Sequence, residues 1–155
     1  MFKKPPLSLK GRALRYLSMR EHSRVELARK LTPYVQEGDD LEEVLNFLER
    51  AKYLSNQRFS ESLANRRQSR FGNQRIMAEL HAHDLSTDDI AEVKERLQET
   101  EIERATEVLH KKFPTAPQDH EAKAKQMKFL MQRGFSSRAV QQAMRAERDV
   151  DFSDE

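Results

Sequence analysis

The sequence predicts an all-α protein in which three tandem three-helix repeats stack into an elongated, curved rod. Glycine and proline are rare, at 4 and 5 of the 155 residues, which leaves few tight turns for a many-stranded sheet. The helix formers Ala, Leu, Glu, Lys, Gln and Arg dominate, whereas residues that favour strands are sparse. Apolar residues also recur with a period near 50 residues, which is typical of a repeat architecture.

The repeat is visible in the spacing of apolar residues along the chain. Three leucines, 49 and 50 residues apart, mark the repeats: Leu31, Leu80 and Leu130. Ten residues after each leucine comes a further apolar residue: Leu41, Ile90 and Val140. Three short helices cannot bury their apolar faces alone, so we expect adjacent repeats to stack. The predicted repeats, and the acidic tail that follows them, occupy residues 7–54, 55–99, 100–148 and 149–155.

The first repeat is predicted to contain three helices: about residues 10–20, from Ser23 to Pro33, and about residues 40–52. Ser23 and Glu26 match a capping box, in which the serine caps a backbone N–H and the glutamate reaches back. Pro33 ends the second helix because a proline pushes the residue before it out of the α region. Asp40 lies at the start of the third helix, where the macrodipole favours negative charge.

In the second repeat, turn and cap residues separate three predicted helices. A helix of about residues 56–70 is broken at Gly72, and Asn73 is expected to cap the helix that follows. Ser86 and Asp89 are expected to cap a third helix, whose apolar face carries Ile90, Val93 and Leu97.

The third repeat is predicted to open with a separate helix that carries Ile102 and Leu109 and stops before Pro114. Its second helix ends at Gly134, a residue type common at the C′ position. Ser136 is expected to cap the last helix.

Charge is distributed unevenly, although the net charge is only +2. Residues 1–34 carry nine Lys and Arg against two Glu, and residues 147–155 carry five acids against one Arg. A basic segment of this kind favours polyanionic partners such as nucleic acid. A solvated, solubilising surface explains the same charges about equally well, and the acidic tail fits that explanation best.

Several classes of site are excluded or disfavoured. The chain has no Cys, which excludes disulfides and Cys-based zinc sites and suits a reducing cytoplasm. It has no apolar run near the roughly 18 residues of a membrane span, and no secretory signal. His81 and His83 are two residues apart and cannot share a metal on one helix face. With no glycine-rich phosphate loop and no converging acid–base set, we expect no catalytic site, no metal and no cofactor.

Three groups of residues resemble the motifs of a known family. The first group follows the spacing R-x-x-S-x-x-E-L-x-x-K-L: Arg20, Ser23, Glu26, Leu27, Lys30 and Leu31. The second group is Tyr53, Leu54, Phe59, Arg67, Gly72, Arg75, Ile76, Glu79 and Leu80. A third, weaker group is Phe129, Leu130, Arg133, Gly134 and Phe135. In their order and spacing, these motifs resemble the RecX family over nearly the whole chain.

Four turn or cap positions depart from the family pattern. Asn56 stands where the family usually has Asp, and Ser60 where it has Ala. Ala51-Lys52 stands where the family has a Gly before the Tyr-Leu pair, and Asp84 stands where the family has another Gly. These departures concern local backbone geometry.

The resemblance implies a regulator of the RecA recombinase. RecX-like proteins bind the RecA–DNA filament along its groove, block its extension or promote its disassembly, and so lower ATPase, strand-exchange and co-protease activities. They thereby modulate recombination, DNA repair and the SOS response. Some also contact DNA, single-stranded and in some cases double-stranded, without sequence specificity. The resemblance implies that the protein needs no cofactor of its own, and we expect it to be cytoplasmic, monomeric and not an enzyme.

Two groups of basic residues are the candidate contacts to RecA or DNA. The first basic group is Arg12, Arg15, Arg24, Arg29 and Lys30. The second basic group is Arg66, Arg67, Arg70 and Arg75. Arg66 and Arg70 are spaced i, i+4 and are expected to share a helix face, with Phe71 beside them. Arginine forks suit phosphates and carboxylates alike, whereas a solvated helix face explains any one of these residues about equally well.

Two other interpretations of the sequence remain open. One is a stand-alone helical protein that binds DNA without sequence specificity, and the other is a generic helical-repeat scaffold. No helix concentrates Asn, Gln and Arg in the pattern of base-reading helices, which disfavours sequence-specific recognition.

Overall fold

The protein is helical throughout residues 6–148, the part of the chain that this computed structural model describes. Eight α-helices lie within this range: α1 Leu9–Met19, α2 Arg24–Leu31, α3 Leu41–Arg50, α4 Asn56–Arg67, α5 Asn73–His81, α6 Thr87–Lys112, α7 His120–Gln132 and α8 Ser137–Arg145. A 3-10 turn, Thr32–Tyr34, follows α2. No strand occurs between residues 6 and 148, which confirms the predicted all-α class.

The acidic tail at residues 149–155 lies outside the described residues, as do Lys3 and Lys4 of the basic segment, residues 1–34. Among residues 6–148, no helix combines the length and the apolar composition that a membrane span requires.

The described chain divides into two compact units. Unit 1 comprises residues 6–62 and 80–90, and unit 2 comprises residues 63–79 and 91–148. The first basic group lies in unit 1 and the second in unit 2. The three repeat boundaries and the stacking into a rod remain predictions.

Each unit has its own hydrophobic core. In unit 1 the core is formed by apolar residues of α1, α2 and α3 together with the segment after α3: Leu9, Ala13, Leu27, Leu31, Leu45, Leu48 and Leu54. In unit 2 it is formed by α6, α7, α8 and the turn between the last two: Ala105, Leu109, Leu130, Phe135, Ala139, Val140 and Ala143. The repeat leucines Leu31 and Leu130 are thus buried in different cores.

One long helix replaces two predicted helices. The sequence pattern predicts that the helix after Ser86 ends before a new helix that carries Ile102, but α6 runs without a break from Thr87 to Lys112. The expectation of two helices was wrong because no Gly or Pro stands at the predicted junction, and because Thr100, a residue type that can cap a helix, instead donates its Oγ1 hydroxyl to the carbonyl of Arg96 at 3.0 Å within the continuous helix. The polar residues Glu101 and Arg104 do not end the helix, since both are buried and have hydrogen-bond partners inside unit 2.

Most predicted cap positions are confirmed. Ser23 Oγ accepts from the N–H of Glu26 at 3.1 Å, and Ser136 Oγ accepts from that of Ala139 at 3.2 Å. Ser86 and Asp89 form both bonds of a capping box at the start of α6, each at 3.1 Å. These side chains satisfy amides that a helix leaves without intrahelical partners.

Two cap predictions were wrong in part. The Glu26 carboxylate does not reach back to Ser23 but pairs with the Arg20 guanidinium at 2.9 and 2.6 Å, so only half of that capping box forms. Asn73 does not cap α5 but lies at its first position, where its amide donates to the carbonyl of Leu97 at 2.9 Å. In both cases an ion pair or a tertiary partner outcompetes the local bond.

Candidate functional site

The first basic group is partly committed to contacts within unit 1. Arg24 forms ion pairs with Glu42 and Glu49, each at 2.9 Å. Arg12 stacks on the Tyr34 ring, with 3.6 Å between the guanidinium carbon and the ring centroid. These two arginines therefore fasten α1 and α2 to their neighbours.

Lys30 is held against His22, a buried histidine to which the sequence pattern assigns no role. His22 Nδ1 donates to the carbonyl of Arg20 at 3.0 Å, and its Nε2 accepts from the Lys30 ammonium at 2.9 Å. Burial, before all other causes, lowers the pKa of His22 below its ordinary value of 6.5. A neutral imidazole with one donor and one acceptor nitrogen satisfies both bonds.

Arg15 and Arg29 remain available for a partner. Both side chains are exposed and, within residues 6–148, neither forms an ion pair or side-chain hydrogen bond. They are the members of the first basic group that could bind a partner without breaking an existing interaction.

Within residues 6–148, the second basic group also contains both paired and unpaired arginines. Arg67 makes two hydrogen bonds to the Glu79 carboxylate, both at 3.0 Å, which join α4 to α5 inside unit 2. Arg66 is exposed at the end of α4. The expectation that Arg66 and Arg70 share a helix face was wrong, because α4 ends at Arg67 and Arg70 lies in the following turn.

Three arginines surround the half-buried ring of Phe71. The guanidinium carbons of Arg75, Arg70 and Arg133 lie 3.9, 5.4 and 5.7 Å from the ring centroid. Arg133 also lies 5.1 Å from the ring of Phe129. An aromatic face attracts a cation, so these rings hold the arginines in place while leaving their charge unneutralised.

Arg70 and Arg133 border a cleft of about 540 Å³ in unit 2, here called the basic cleft. Four cations and two apolar side chains line it: Arg70, Lys111, Lys112, Arg133, Val108 and Phe129. Glu107 lines it as well. Sequence reasoning missed every one of these residues but Arg70 as a candidate contact. The adjacent Lys111 and Lys112, and the Arg133-Gly134 pair of the third motif, were the signals available.

Two glycines create the close backbone contact that places Arg133 beside Phe71. The N–H of Gly72 donates to the carbonyl of Arg133 at 2.8 Å, and the N–H of Gln74 donates to that of Gly134 at 3.0 Å. A Cβ on Gly72 would lie 2.3 Å from the N atom of Phe135, and one on Gly134 would lie 2.5 Å from the Cβ of Arg75. Gly134 also has a φ of +89°, as a C′ residue needs.

A buried polar network supports the same corner of unit 2. Arg104 donates to the backbone carbonyls of Gln68, Phe71 and Leu97 at 3.2, 3.0 and 3.0 Å. Glu101 accepts from the N–H of Asn73 at 2.9 Å and from Ser136 Oγ at 2.5 Å. Burial lowers the pKa of the Arg104 guanidinium, an effect that the nearby negative charge of Glu101 opposes, and hydrogen bonds to carbonyls compensate the buried charge.

Within residues 6–148, no group of three or more His, Cys, Asp or Glu side chains is arranged to hold a metal ion. The basic cleft and the ring of Phe71 bring guanidinium and ammonium groups, which form no ion pair among the described residues, close to aromatic rings.

Comparison with known proteins decides the family. The family model for the first three-helix domain of RecX matches residues 10–48, and that for the third three-helix domain matches residues 99–144. The chain is 58% identical over 140 residues to the regulatory protein RecX of Herbaspirillum seropedicae, covering 90% of this chain and 91% of that protein. The chain belongs to the RecX family. The resemblance noted in the sequence motifs is thereby confirmed, and a regulatory role follows for this chain.

Other RecX proteins agree in sequence and in fold. The regulatory protein RecX of Herminiimonas arsenicoxydans is 57% identical over 143 residues, covering 92% of this chain and 95% of its own. The crystal structure of RecX from Lactobacillus salivarius has a TM-score of 0.68 and 20% identity, covering 88% of this chain and 92% of that one. At that identity, the structural match shows the shared fold.

Proposed function

We propose that this RecX-family protein binds the RecA–DNA filament and inhibits RecA. Inhibition would stop filament extension and lower the ATPase, strand-exchange and co-protease activities of RecA, and so modulate recombination, DNA repair and the SOS response. The observation that carries the proposal is the similarity to regulatory RecX proteins over about nine-tenths of the chain. The protein would act in the cytoplasm as a monomer, without catalytic chemistry or a cofactor of its own.

The basic residues that contact the filament would be the ones that no carboxylate among residues 6–148 neutralises. In the first basic group these are Arg15 and Arg29, and in the second they include Arg66 and Arg70. Arg24 and Arg67 already bind carboxylates of this chain, so a partner would have to displace those carboxylates.

The test is the ATPase rate of RecA on single-stranded DNA, titrated with wild-type protein and with two double variants, Arg15→Ala with Arg29→Ala and Arg66→Ala with Arg70→Ala. Wild type should inhibit at concentrations well below that of RecA. Removing one charge-assisted hydrogen bond costs about 1.5–3 kcal/mol, so at least one double variant should need about tenfold more protein for half-inhibition.

A matched control is Lys94→Ala with Arg96→Ala, two exposed cations of α6 outside both basic groups. The control should inhibit like wild type. No effect of the wild type at any ratio would contradict the proposal, whereas equally weakened inhibition in all three double variants would show that only overall charge matters.

A second candidate function is stand-alone DNA binding without sequence specificity. The unpaired cations of both units favour it, because phosphate contacts need no particular base sequence. It predicts that the protein protects DNA equally in the presence and absence of RecA and leaves the ATPase of preformed filaments unchanged.

A further inference from the structure

The basic cleft combines positively charged side chains with an apolar aromatic surface. A partner that is only charged would use the first of these and not the second. Arg70 and Arg133 come from the segments that follow α4 and α7, and Lys111 and Lys112 come from the carboxyl end of α6. Within residues 6–148, none of these four cations forms an ion pair with a carboxylate. The cleft therefore presents four cations without an ion-pair partner among the described residues, together with the single carboxylate of Glu107.

The lining of the cleft also includes apolar side chains. Phe129 and Val108 line it, and Phe129 is fixed by an edge contact with Phe113, whose ring centroid is 5.5 Å away at an interplanar angle of 80°. The half-buried Phe129 ring thus has an anchored position in the cleft. An aromatic face beside arginines is a stacking platform for another flat, electron-rich ring.

Contacts within unit 2 hold the arginines of the cleft in position. Arg133 follows α7, its guanidinium lies between the rings of Phe71 and Phe129, and its Nη1 donates to the carbonyl of Arg70 at 3.4 Å. The backbone hydrogen bond between Gly72 and Arg133 holds the two turns together. A ligand would therefore meet arginines that are already positioned, which reduces the entropy cost of binding.

We infer that the basic cleft is a binding site for one nucleotide unit of a single-stranded nucleic acid, with the phosphate held by Arg70, Arg133 and the two lysines and the base placed against Phe129. The inference rests on the proposed function, because the cleft would be where this RecX chain touches the DNA strand. Glu107 also lines the cleft and disfavours a phosphate directly beside its own carboxylate.

A single strand fits the cleft better than the alternatives. In a duplex the faces of the bases are covered by their neighbours, so no base could lie against Phe129. An acidic peptide would neutralise the four cations but would leave the apolar lining of Phe129 and Val108 without a partner. The volume of about 540 Å³ is within the roughly 300–1,000 Å³ of ligand sites.

The test is fluorescence anisotropy of a labelled deoxythymidine oligonucleotide with the full chain, without RecA. Two variants probe the two chemistries. Lys111→Gln with Lys112→Gln removes the two ammonium groups that would bind phosphate, and Phe129→Leu keeps apolar volume but removes the ring face. The same oligonucleotide with abasic sites, the matching duplex and free ATP serve as competitors.

The lysine double variant should bind about tenfold more weakly, and the slope of log affinity against log salt should flatten by about 0.7 for each phosphate that is no longer neutralised. Phe129→Leu should weaken binding of the thymidine oligonucleotide at least fivefold and leave binding of the abasic strand unchanged. Lys94→Gln with Arg96→Gln, a charge-matched pair on the same helix, should bind like wild type. Thermal unfolding of each variant checks folding, and the lysine pair keeps the test decisive if Phe129→Leu unfolds.

Four results would overturn the inference. Equal affinity for base-bearing and abasic strands would exclude stacking on Phe129, and equally weakened binding in the cleft pair and the control pair would reduce the cleft to general surface charge. Displacement of the oligonucleotide by equimolar ATP would assign the cleft to a free nucleotide. Unchanged DNA binding combined with abolished RecA inhibition in the cleft variants would assign it to a protein surface. The binding assay contains no RecA. Its result therefore tests the nucleotide site in the cleft independently of whether the protein inhibits RecA.

Discussion

At the scale of single residues, several residues of the family motifs form ion pairs with other residues of the same chain. Arg20 binds Glu26, and Arg67 binds Glu79, in two-bond ion pairs that join neighbouring segments. Each pair combines modest Coulomb energy with the geometry of a guanidinium fork. These motif residues are therefore explained by the fold, and binding is expected to use cations outside the pairs.

Lys52, in the Ala51-Lys52 pair that departs from a glycine of the family pattern, and Asp84, which departs from another, have left-handed backbones with φ values of +66° and +56°. This conformation costs an ordinary L-residue about 1–2 kcal/mol, whereas glycine adopts it freely and Asp tolerates it better than Lys. Lys52→Gly should therefore raise the free energy of unfolding by about 1 kcal/mol, measured by urea denaturation. Lys52→Ala, which removes the same side chain but keeps the strain, is the control and should bring no gain. Equal stabilisation by both would show that the lysine side chain, not the backbone, is responsible.

His22 gives unit 1 a stability that depends on pH. Because burial lowers its pKa below 6.5, the unfolded chain binds a proton at a higher pH than the folded one. The free energy of unfolding should fall as the pH drops below 6.5, down to a plateau below the folded pKa. The hydrogen bond from Arg20 lowers the pKa of Glu26 below its ordinary value of 4.5. The stability that this carboxylate contributes is therefore lost only as the pH falls below 4.5.

The pH effect is measured by denaturation at pH 7.5 and 5.5, in wild type and in His22→Gln. The variant should be less stable at the higher pH and should lose less stability between the two. His120→Gln, at an exposed histidine, should lose as much as wild type. Parallel losses of stability in wild type and His22→Gln would assign the pH dependence to other groups.

At the scale of structural elements, unit 2 depends on the approach of the turn before α5 to the turn between α7 and α8. Gly72 and Gly134 allow the two backbones to come close enough for direct hydrogen bonds. Arg104, buried beneath, donates to carbonyls of the turn that precedes α5. This corner orients Arg133 and Phe71 and thereby shapes one side of the basic cleft.

Gly72→Ala should destabilise the protein by more than about 3 kcal/mol, because its Cβ would collide with backbone atoms that cannot move independently. Chemical denaturation measures the decrease in stability. The control is Gly38→Ala: Gly38 has a φ of +88° but nothing within 4 Å of an added Cβ, so only the conformational cost of about 1–2 kcal/mol applies. A decrease at Gly72 no larger than that at Gly38 would show that the two turns can separate without consequence.

At the scale of the whole molecule, the net charge of +2 conceals cations of two kinds. Some are neutralised by carboxylates of the same unit, and others, including Arg15, Arg29, Arg66 and the four of the basic cleft, are left without an ion pair among residues 6–148. Long-range attraction to DNA depends on the unneutralised set. The proposed RecA-filament interface and the nucleotide cleft both draw on it.

The sequence by itself determined the helical class, the caps at Ser23, Ser86 and Ser136, and membership of the RecX family. These depend on local propensity, short-range hydrogen bonds and motif spacing, which a chain carries before it folds. Only the tertiary structure decided that α6 is continuous and that Asn73 donates to the carbonyl of Leu97 instead of capping α5. It also decided that Arg67 pairs with Glu79, whereas Arg133 and the Lys111–Lys112 pair line a cleft. Those outcomes depend on partners that are distant along the chain, and the energies of such pairs are set by where packing brings them together.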